Sequence, residues 1–295
     1  MSNNELKNDR EAMSNLVPLY LKKISVGKVH SKFNSGLNIQ IDDYLIFVGR
    51  RGTPLAAFGL NITAEKLQQV LNSVKIGDLV VNKRNKLIFY SGYGVITIYY
   101  KDLEEIDLKL PPIKCSVNEL PHSRLYQSLA TIEFAKYIGL DLDEKTGKYI
   151  ELLVHADKAD RNVNSVIISF FAGRGKGLTP SGDDLLIGFT LALMLFGQFN
   201  SWQQALAREV TGDKTTMISV AYLRALLAGY ASEYFIRLAK LIDAAGAERA
   251  AIEKTIHEVQ SFGHTSGNDT LFGFFLGLKF LINQEQEQYG GLNQG

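Results

Sequence analysis

Cys115 is the single cysteine in 295 residues, which rules out an intramolecular disulfide and fits a reducing compartment. It lies in a Pro-rich joint without recognisable activating neighbours, so it is a poor candidate nucleophile. Charge of one sign is lacking too. Thirty-two Lys and Arg against 31 Asp and Glu leave a formal +1, so no overall field recruits nucleic acid or an anionic membrane, and any anion must be bound locally. Long apolar runs are missing: residues 185–196 fall short of the roughly 20 that span a bilayer, and Lys279 interrupts the next candidate, 271–282. Residues 1–10 are polar, without the apolar stretch of a secretory signal. A cytoplasmic protein is expected. His30, His122, His155 and His257 each lack a second His or Cys at metal-ligand spacing.

What is present is ample apolar content, 46%, enough for a proper core. Residues 26–110 carry short segments rich in β-branched and aromatic side chains, such as Leu37-Asn38-Ile39-Gln40-Ile41 and Tyr44-Leu45-Ile46-Phe47-Val48, with further ones at 79–81, 86–90 and 95–100. These predict strands, with hairpin turns at Asp42-Asp43 and Arg84-Asn85. Thr63 is placed to cap one helix over 64–74. After Leu110-Pro111-Pro112 the period becomes helical, with helices expected at 123–138, 149–155, 163–171, 183–196, 202–210, 215–242, 247–262 and 268–282. The expected fold class is α+β. A small β-rich domain (21–112) is followed by a linker (113–122) and an all-helical domain (123–284), with polar tails at 1–20 and 285–295.

The most informative feature is a duplication. Gly177-Leu178-Thr179-Pro180-Ser181-Gly182-Asp183-Asp184-Leu185-Leu186-Ile187-Gly188 recurs as Gly263-His264-Thr265-Ser266-Gly267-Asn268-Asp269-Thr270-Leu271-Phe272-Gly273, with Pro180 the only gap. In both copies a small polar stretch runs into an uncharged apolar segment, the pattern of a helix that starts at a polar surface and enters a core. Helix N-termini present unpaired N–H groups and a favourable dipole to anions. Two such starts could face one ligand.

The first copy follows Gly173-Arg174-Gly175-Lys176-Gly177, where glycines let backbone donors converge and two bases add charge suited to phosphate or carboxylate. A flexible connection with solvated bases is the bland alternative, and the absence of Ser or Thr after Lys176 excludes a Walker loop. Arg174, Gly175, Lys176, Gly177, Thr179, Ser181, Gly182, Asp183, Thr265 and Ser266 are the candidate anion-binding set. Ser181 or Thr179 could equally cap the helix, and Asp183 could merely complement its dipole. Capping does not account for Asp184 and its equivalent Asp269. If the helices pack side by side, these carboxylates meet at the mouth of the site, where they could share a proton or hold a hard cation such as Mg²⁺. No cofactor is required by the sequence. His264 could polarise a carbonyl, transfer a proton or cap its own helix. Ser219 and Tyr222 share a helix face that could line the cleft or satisfy buried backbone. Arg50 and Arg51 stand in a glycine-bounded turn, either exposed or reaching for a carboxylate. Gly188, Gly197, Gly273 and Gly277 read as close-approach positions between helices.

Three ordered motifs carry a resemblance. They are Gly-Leu-Thr-Pro-Ser-Gly-Asp-Asp at 177–184, Ser-x-x-Tyr-Leu-x-Ala-x-x-x-Gly at 219–229 and Gly-His-Thr-Ser-Gly-x-Asp-Thr-Leu-x-Gly at 263–273. Together they resemble a bacterial family whose best-understood member is the AllH-type subunit of oxamate carbamoyltransferase. The likeness is strongest over residues 173–278, and the β-rich half is similar in layout more than in residues. The resemblance implies a subunit of a three-component enzyme of allantoin breakdown that converts oxalurate and phosphate to oxamate and carbamoyl phosphate. Its implied partners are an FdrA-like subunit and a second carbamoyltransferase subunit, its substrates small anions, and homo-oligomerisation stays open. It supplies no catalytic residues. Two other readings stay open: a non-catalytic scaffold, and a metal-dependent hydrolase, since Asn268-Asp269-Thr270 is weakly similar to the acidic metal motifs of ADP-ribosyl hydrolases.

Overall fold

A computed structural model describes residues 10–157, 160–198, 200–244, 246 and 248–292. The chain forms two compact units, residues 1–109 with 230–233, and residues 110–229 with 234–295. The fold is α+β. No helix among the described residues is long and apolar enough to cross a membrane.

The first unit contains β1 (Ala12–Ser14), α1 (Val17–Tyr20), β2 (Ser25–Phe33), β3 (Gly36–Ile41), β4 (Tyr44–Arg50), β5 (Gly59–Ile62), α2 (Ala64–Ser73), β6 (Leu79–Asn82), β7 (Lys86–Ser91), β8 (Gly94–Tyr99) and β9 (Glu104–Ile106). They form one nine-stranded sheet in the order β8-β7-β6-β2-β3-β4-β5-β1-β9. The β3–β4 and β6–β7 hairpins turn where expected, at Asp42, Arg84 and Asn85, whose φ of 50°, 51° and 63° are tolerated by such turn residues. Thr63 caps α2 by accepting the Lys66 N–H. Leu67, Val70 and Leu71 then bury one helix face with Ile39, Val48, Leu87 and Phe89.

Pattern reading missed β1, β2, β5 and β9. Residues 10–20 are not a frayed tail: Ala12–Ser14 pairs with β5 and β9, Met13, Leu16 and Val17 are buried, and the Ser14 hydroxyl donates to the Ala57 carbonyl at 2.6 Å. Three residues are too few for an alternation to show above a polar surrounding sequence.

The second unit contains α3 (Arg124–Ala130), α4 (Glu144–His155), α5 (Arg161–Phe171), α6 (Ser181–Leu195), α7 (Asn200–Glu209), α8 (Met217–Leu227), α9 (Glu233–Lys240, whose first residue lies in the first unit), α10 (Arg249–Gln260) and α11 (Ser266–Leu292). The helix expected over 123–138 ends at Ala130, and a 3₁₀ turn follows at Phe134–Lys136. The long helix expected over 215–242 is two. Gly229 adopts φ +85°, and residues 230–233 belong to the other unit, where Tyr230 bridges Lys109. Residues 113–122, expected as a linker, include a 3₁₀ segment at Val117–His122, and the expected C-terminal tail continues α11 to Leu292.

Helix α6 is the centre of this unit. Residues 181–193 are buried throughout, and the Trp202 indole N–H of α7 donates to its Thr190 hydroxyl at 2.9 Å. Its main partner is α11, and glycine sets the separation. A Cβ on Gly188 would lie 1.9 Å from the Thr270 carbonyl oxygen, and one on Gly273 2.0 Å from that of Leu185. Gly188→Ala and Gly273→Ala are each expected to lower stability by at least about 1–3 kcal/mol, because backbone cannot yield as a side chain does. Gly147→Ala in α4, where a Cβ meets nothing within 4 Å, should instead stabilise by about 0.5–1 kcal/mol. Urea denaturation of the three variants checks this, and unaltered midpoints for the first two would show that the helices simply part.

Candidate active site at the paired helix starts

The duplication appears in space as a local two-fold relation. Gly188 and Gly273 are counterparts in the two copies, and so are the residues they abut, Thr270 and Leu185. Further glycines repeat the theme: a Cβ on Gly182 would meet the Phe171 carbonyl at 2.1 Å, and one on its counterpart Gly267 the Val259 carbonyl at 1.9 Å. Each helix start is therefore clamped against the end of the preceding helix, α5 or α10.

This packing brings Asp184 and Asp269 together in the interior. They are 3% and 1% exposed, so they sit beneath the helix starts and do not line an open mouth as expected. Hydroxyls cross between the copies. Asp184 is hydrogen-bonded by Ser266 of the other copy and Thr179 of its own. Asp269 is hydrogen-bonded by Ser181 of the other copy and Thr265 of its own. The Thr179 and Ser266 hydroxyls also meet at 2.8 Å. Neither Ser181 nor Thr179 caps α6; its N-cap position is Pro180, without a side-chain cap. The hydroxyls are turned to the carboxylates instead.

The surroundings make the two equivalent acids unequal. Asp269 Oδ1 accepts the Gly139 N–H at 2.9 Å, and the Leu140 N–H adds to it. Burial raises the Asp269 pKa, and the Thr265 and Ser181 hydroxyls and these two N–H groups oppose the rise. Burial pushes Asp184 well above the ordinary carboxylate range. The Ser266 and Thr179 hydroxyls oppose this, and the charges of Asp269 and Asp183 add to it. Among the larger influences on Asp184 no backbone N–H opposes the rise as Gly139 and Leu140 do at Asp269, and two negative neighbours add to it. Oδ2 of each carboxylate has no hydrogen-bond partner among the described residues.

Asp183 plays a different part from dipole complement alone. It is fully buried, accepts the Gly173 N–H at 2.7 Å and is bonded by the Thr215 and Ser219 hydroxyls. Burial raises its pKa, and these three donors oppose the rise. It thus ties the glycine loop and the start of α8 to α6. From the same helix, Tyr222 lies close enough to Asp184 for the carboxylate charge to raise its hydroxyl pKa, after burial, the larger cause.

The loop itself folds back over the α6 start. Gly173, Gly175 and Gly177 adopt φ of +70°, +116° and +98°, conformations that side chains disfavour. A Cβ on Gly175 would fall 2.7 Å from the Ser181 nitrogen. Two amides expected to face an anion are satisfied internally: Gly182 N–H donates to the Arg174 carbonyl at 2.8 Å, and Gly173 N–H to Asp183. Arg174 lies 3.9 Å over the Phe170 ring and donates from Nε to the Phe170 carbonyl. Gly175, Lys176, Gly177 and Leu178 remain as an exposed tip, pinned where the Thr216 hydroxyl donates to the Leu178 carbonyl.

His264 is exposed and is not part of the buried network around the aspartates. Arg50 and Arg51 are exposed on their turn. Cys115 is no better placed as a nucleophile, since burial and the charges of Glu119 and Asp243 raise its thiol pKa. Among the described residues no three His, Cys, Asp or Glu side chains converge as a metal-ligand set. Sequence reading passed over Gly139, Leu140, Thr215 and Thr216. A glycine after a 3₁₀ turn and a Thr-Thr pair before a helix are too common to stand out. A cleft of about 570 Å³ opens beside the second copy, lined by Thr131, Tyr137, His257, Gln260, Ser261 and Asn268 among others.

Residues 171–278 match the family model described as oxamate carbamoyltransferase subunit AllH. The match runs from the end of α5 into α11, takes in the loop, both helix starts and all of α8, and supports the resemblance carried by the three motifs. No solved structure matches the chain.

The raised Asp184 pKa has a sign that can be measured. The unfolded chain releases this proton near the ordinary value of 3.8 and the folded chain holds it to higher pH. The native state therefore binds more protons in that interval. The contribution to stability is complete below the unfolded value and is lost as pH rises through the folded one, at about 1.4 kcal/mol for each pH unit between the two. Asp184→Asn, which cannot ionise, is expected to gain on the wild type as pH rises from about 4 to 9. Urea titrations across that range check it, and parallel stability curves would remove the proton from Asp184.

Proposed function

We propose that this chain is the subunit of an oxamate carbamoyltransferase that moves the proton during phosphorolysis of oxalurate, in company with an FdrA-like subunit and a second carbamoyltransferase subunit. The observation that carries the reading is the crossed Asp184–Asp269 pair, two buried carboxylates made unequal within the segment that matches the AllH model. The reaction is balanced in protons. A phosphate oxygen attacks the ureido carbonyl and loses its proton, the C–N bond to the oxamyl amide breaks, and the leaving nitrogen gains a proton. Such chemistry needs one group that gives a proton and one that takes it, held together. Asp184 is the donor and Asp269 the acceptor. The half-buried hydroxyls of Thr179, Ser266 and Thr265 connect the interior pair to the surface where a substrate arrives.

Phosphate and the oxalurate carboxylate are drawn to the exposed tip at Lys176, whose glycines leave room for a close approach. Ser219 and Tyr222 act through Asp183 and Asp184 and position them. In the alternative to proton transfer, with both carboxyls ionised, Asp184 and Asp269 would hold a hard cation such as Mg²⁺ together with adjacent hydroxyls, and the ion would lower the charge on a bound phosphate. A scaffold reading predicts no role for the pair in turnover.

The test is reconstitution with the two partner subunits and an oxalurate phosphorolysis assay. Asp184→Asn and Asp269→Asn nearly preserve volume, so assembly should persist while kcat falls by at least about 100-fold, the lower scale of general acid–base assistance. A double variant that assembles and turns over at the wild-type rate would leave this chain as a scaffold.

A further inference from the structure

The first unit's sheet breaks the usual rule for antiparallel strands, in which one face is packed and the other polar. Strands β6, β7 and β8 pack Val80, Leu87, Phe89 and Ile98 into the core. The pairing register places Leu79, Tyr90 and Val95 in one row of the opposite face, and Val26, Val81 and Ile88 in the next. This outer face is apolar as well, and it is open: Val26 and Val95 are 59% exposed and Tyr90 44%. Its outermost strand, β8, is also the free edge of the sheet, so unpaired backbone groups adjoin the apolar rows.

Positive charge predominates along these strands and their connections. Residues 22–33 and 75–102 supply nine Lys and Arg against two acids, Asp78 and Asp102. The bases attend the aromatic residues, with Lys86 4.7 Å from the Tyr99 ring centre and Lys75 5.8 Å from that of Tyr93. A chain near neutrality overall has therefore gathered positive charge beside an exposed apolar surface. Exposed apolar patches mark interaction sites, and the sign chooses among occupants: a second copy would bring like charge against like charge, whereas an acidic partner surface gains from every base.

We propose that the β2-β6-β7-β8 face is the docking surface for a different protein that presents apolar side chains ringed by Asp and Glu. If the carbamoyltransferase reading holds, that protein is one of the two companion subunits, and to this extent the identity of the partner rests on that reading. The face itself does not.

Tyr90→Glu and Val95→Glu test the apolar rows, and the double charge reversal Lys28→Glu, Lys86→Glu tests the rim. All four side chains sit on the outer face, and circular dichroism with thermal unfolding confirms that each variant folds; the charge reversal keeps the test alive should a Glu in the rows prevent folding. Binding of each full-length variant to the two companion subunits is measured by interferometry at low and high salt. Every variant is expected to bind at least about ten-fold more weakly, and the charge reversal to flatten the salt dependence. Binding unchanged in every variant overturns the proposal. A parallel measurement uses 8-anilinonaphthalene sulfonate, an anionic apolar probe, whose fluorescence on the wild type should be lost on Val95→Glu. If the wild type binds neither subunit yet the probe signal depends on Val95, the face stands and the carbamoyltransferase reading falls. If the probe signal is also indifferent to Val95, the face falls too. A wild-type dimer in light scattering that Val95→Glu turns to monomer would overturn the proposal in favour of a second copy.

Discussion

At Gly188 and Gly273 the backbones of α6 and α11 approach to a distance that no side chain permits, each glycine set against a carbonyl of the facing helix. Everything else at the site follows from that contact. With any larger residue the helices would separate, and the Ser181 and Ser266 hydroxyls, about two turns away, could not cross from one copy to the carboxylate of the other. The close approach fixes the crossed Ser266–Asp184 and Ser181–Asp269 bonds, and it expels water from around two groups that repel one another when both are charged. Burial costs the charged form more than the neutral form, so the geometry of a helix pair becomes a statement about where a proton resides.

Holding acids in such a place has to be offset elsewhere. Asp183 shows one way, with its charge spread over the Gly173 N–H and the Thr215 and Ser219 hydroxyls, and it fastens the glycine loop in the process. Asp269 shows another, with backbone donors from Gly139 and Leu140. Gly139 is tightly fitted here: a Cβ would lie 2.5 Å from the Ser181 hydroxyl and 2.7 Å from that of Thr265. Asp184 alone lacks backbone donors among its largest influences. A fold under selection for stability only would have little use for it, since an apolar residue of similar volume avoids the penalty. A carboxyl kept at such a cost is the pattern of a group retained for chemistry.

Much of the site was legible in the sequence, for a physical reason. A helix that starts at a surface and dives into a core leaves a strong mark, small polar residues followed by uninterrupted apolar ones, and the chain writes it twice. The glycine spacing in α6 and α11 and the singling out of Asp184 and Asp269 came from that mark. Their burial did not, because capping and dipole arguments place acids at a surface. Strands β1, β5 and β9 are three or four residues long without the β-branched run that marked the equally short β6, and their burial is decided by neighbours distant in sequence, as Ser14 by Ala57; β2 is longer, but Gly27, Lys28, His30, Ser31 and Lys32 break its apolar pattern. The break between α8 and α9 was hidden by apolar residues on both sides; three of the intervening residues, 230–232, and the first residue of α9 serve the other unit, a tertiary demand that no local pattern encodes.

The differences between the two copies matter as much as their likeness. A perfect two-fold would give two carboxylates with one environment, and neither would be assigned to give or to take a proton. Here the first copy carries a longer, glycine-rich loop and Asp183 where the second has Asn268, whose Oδ1 accepts from the Gln260 side chain and adds no charge. The negative charge of Asp183 thus falls on the Asp184 side, while the Gly139 and Leu140 donors fall on the Asp269 side. Both asymmetries act in the same direction, raising one acid and restraining the other. Duplication supplies the paired geometry, and divergence of the flanking residues gives its two carboxyls different surroundings.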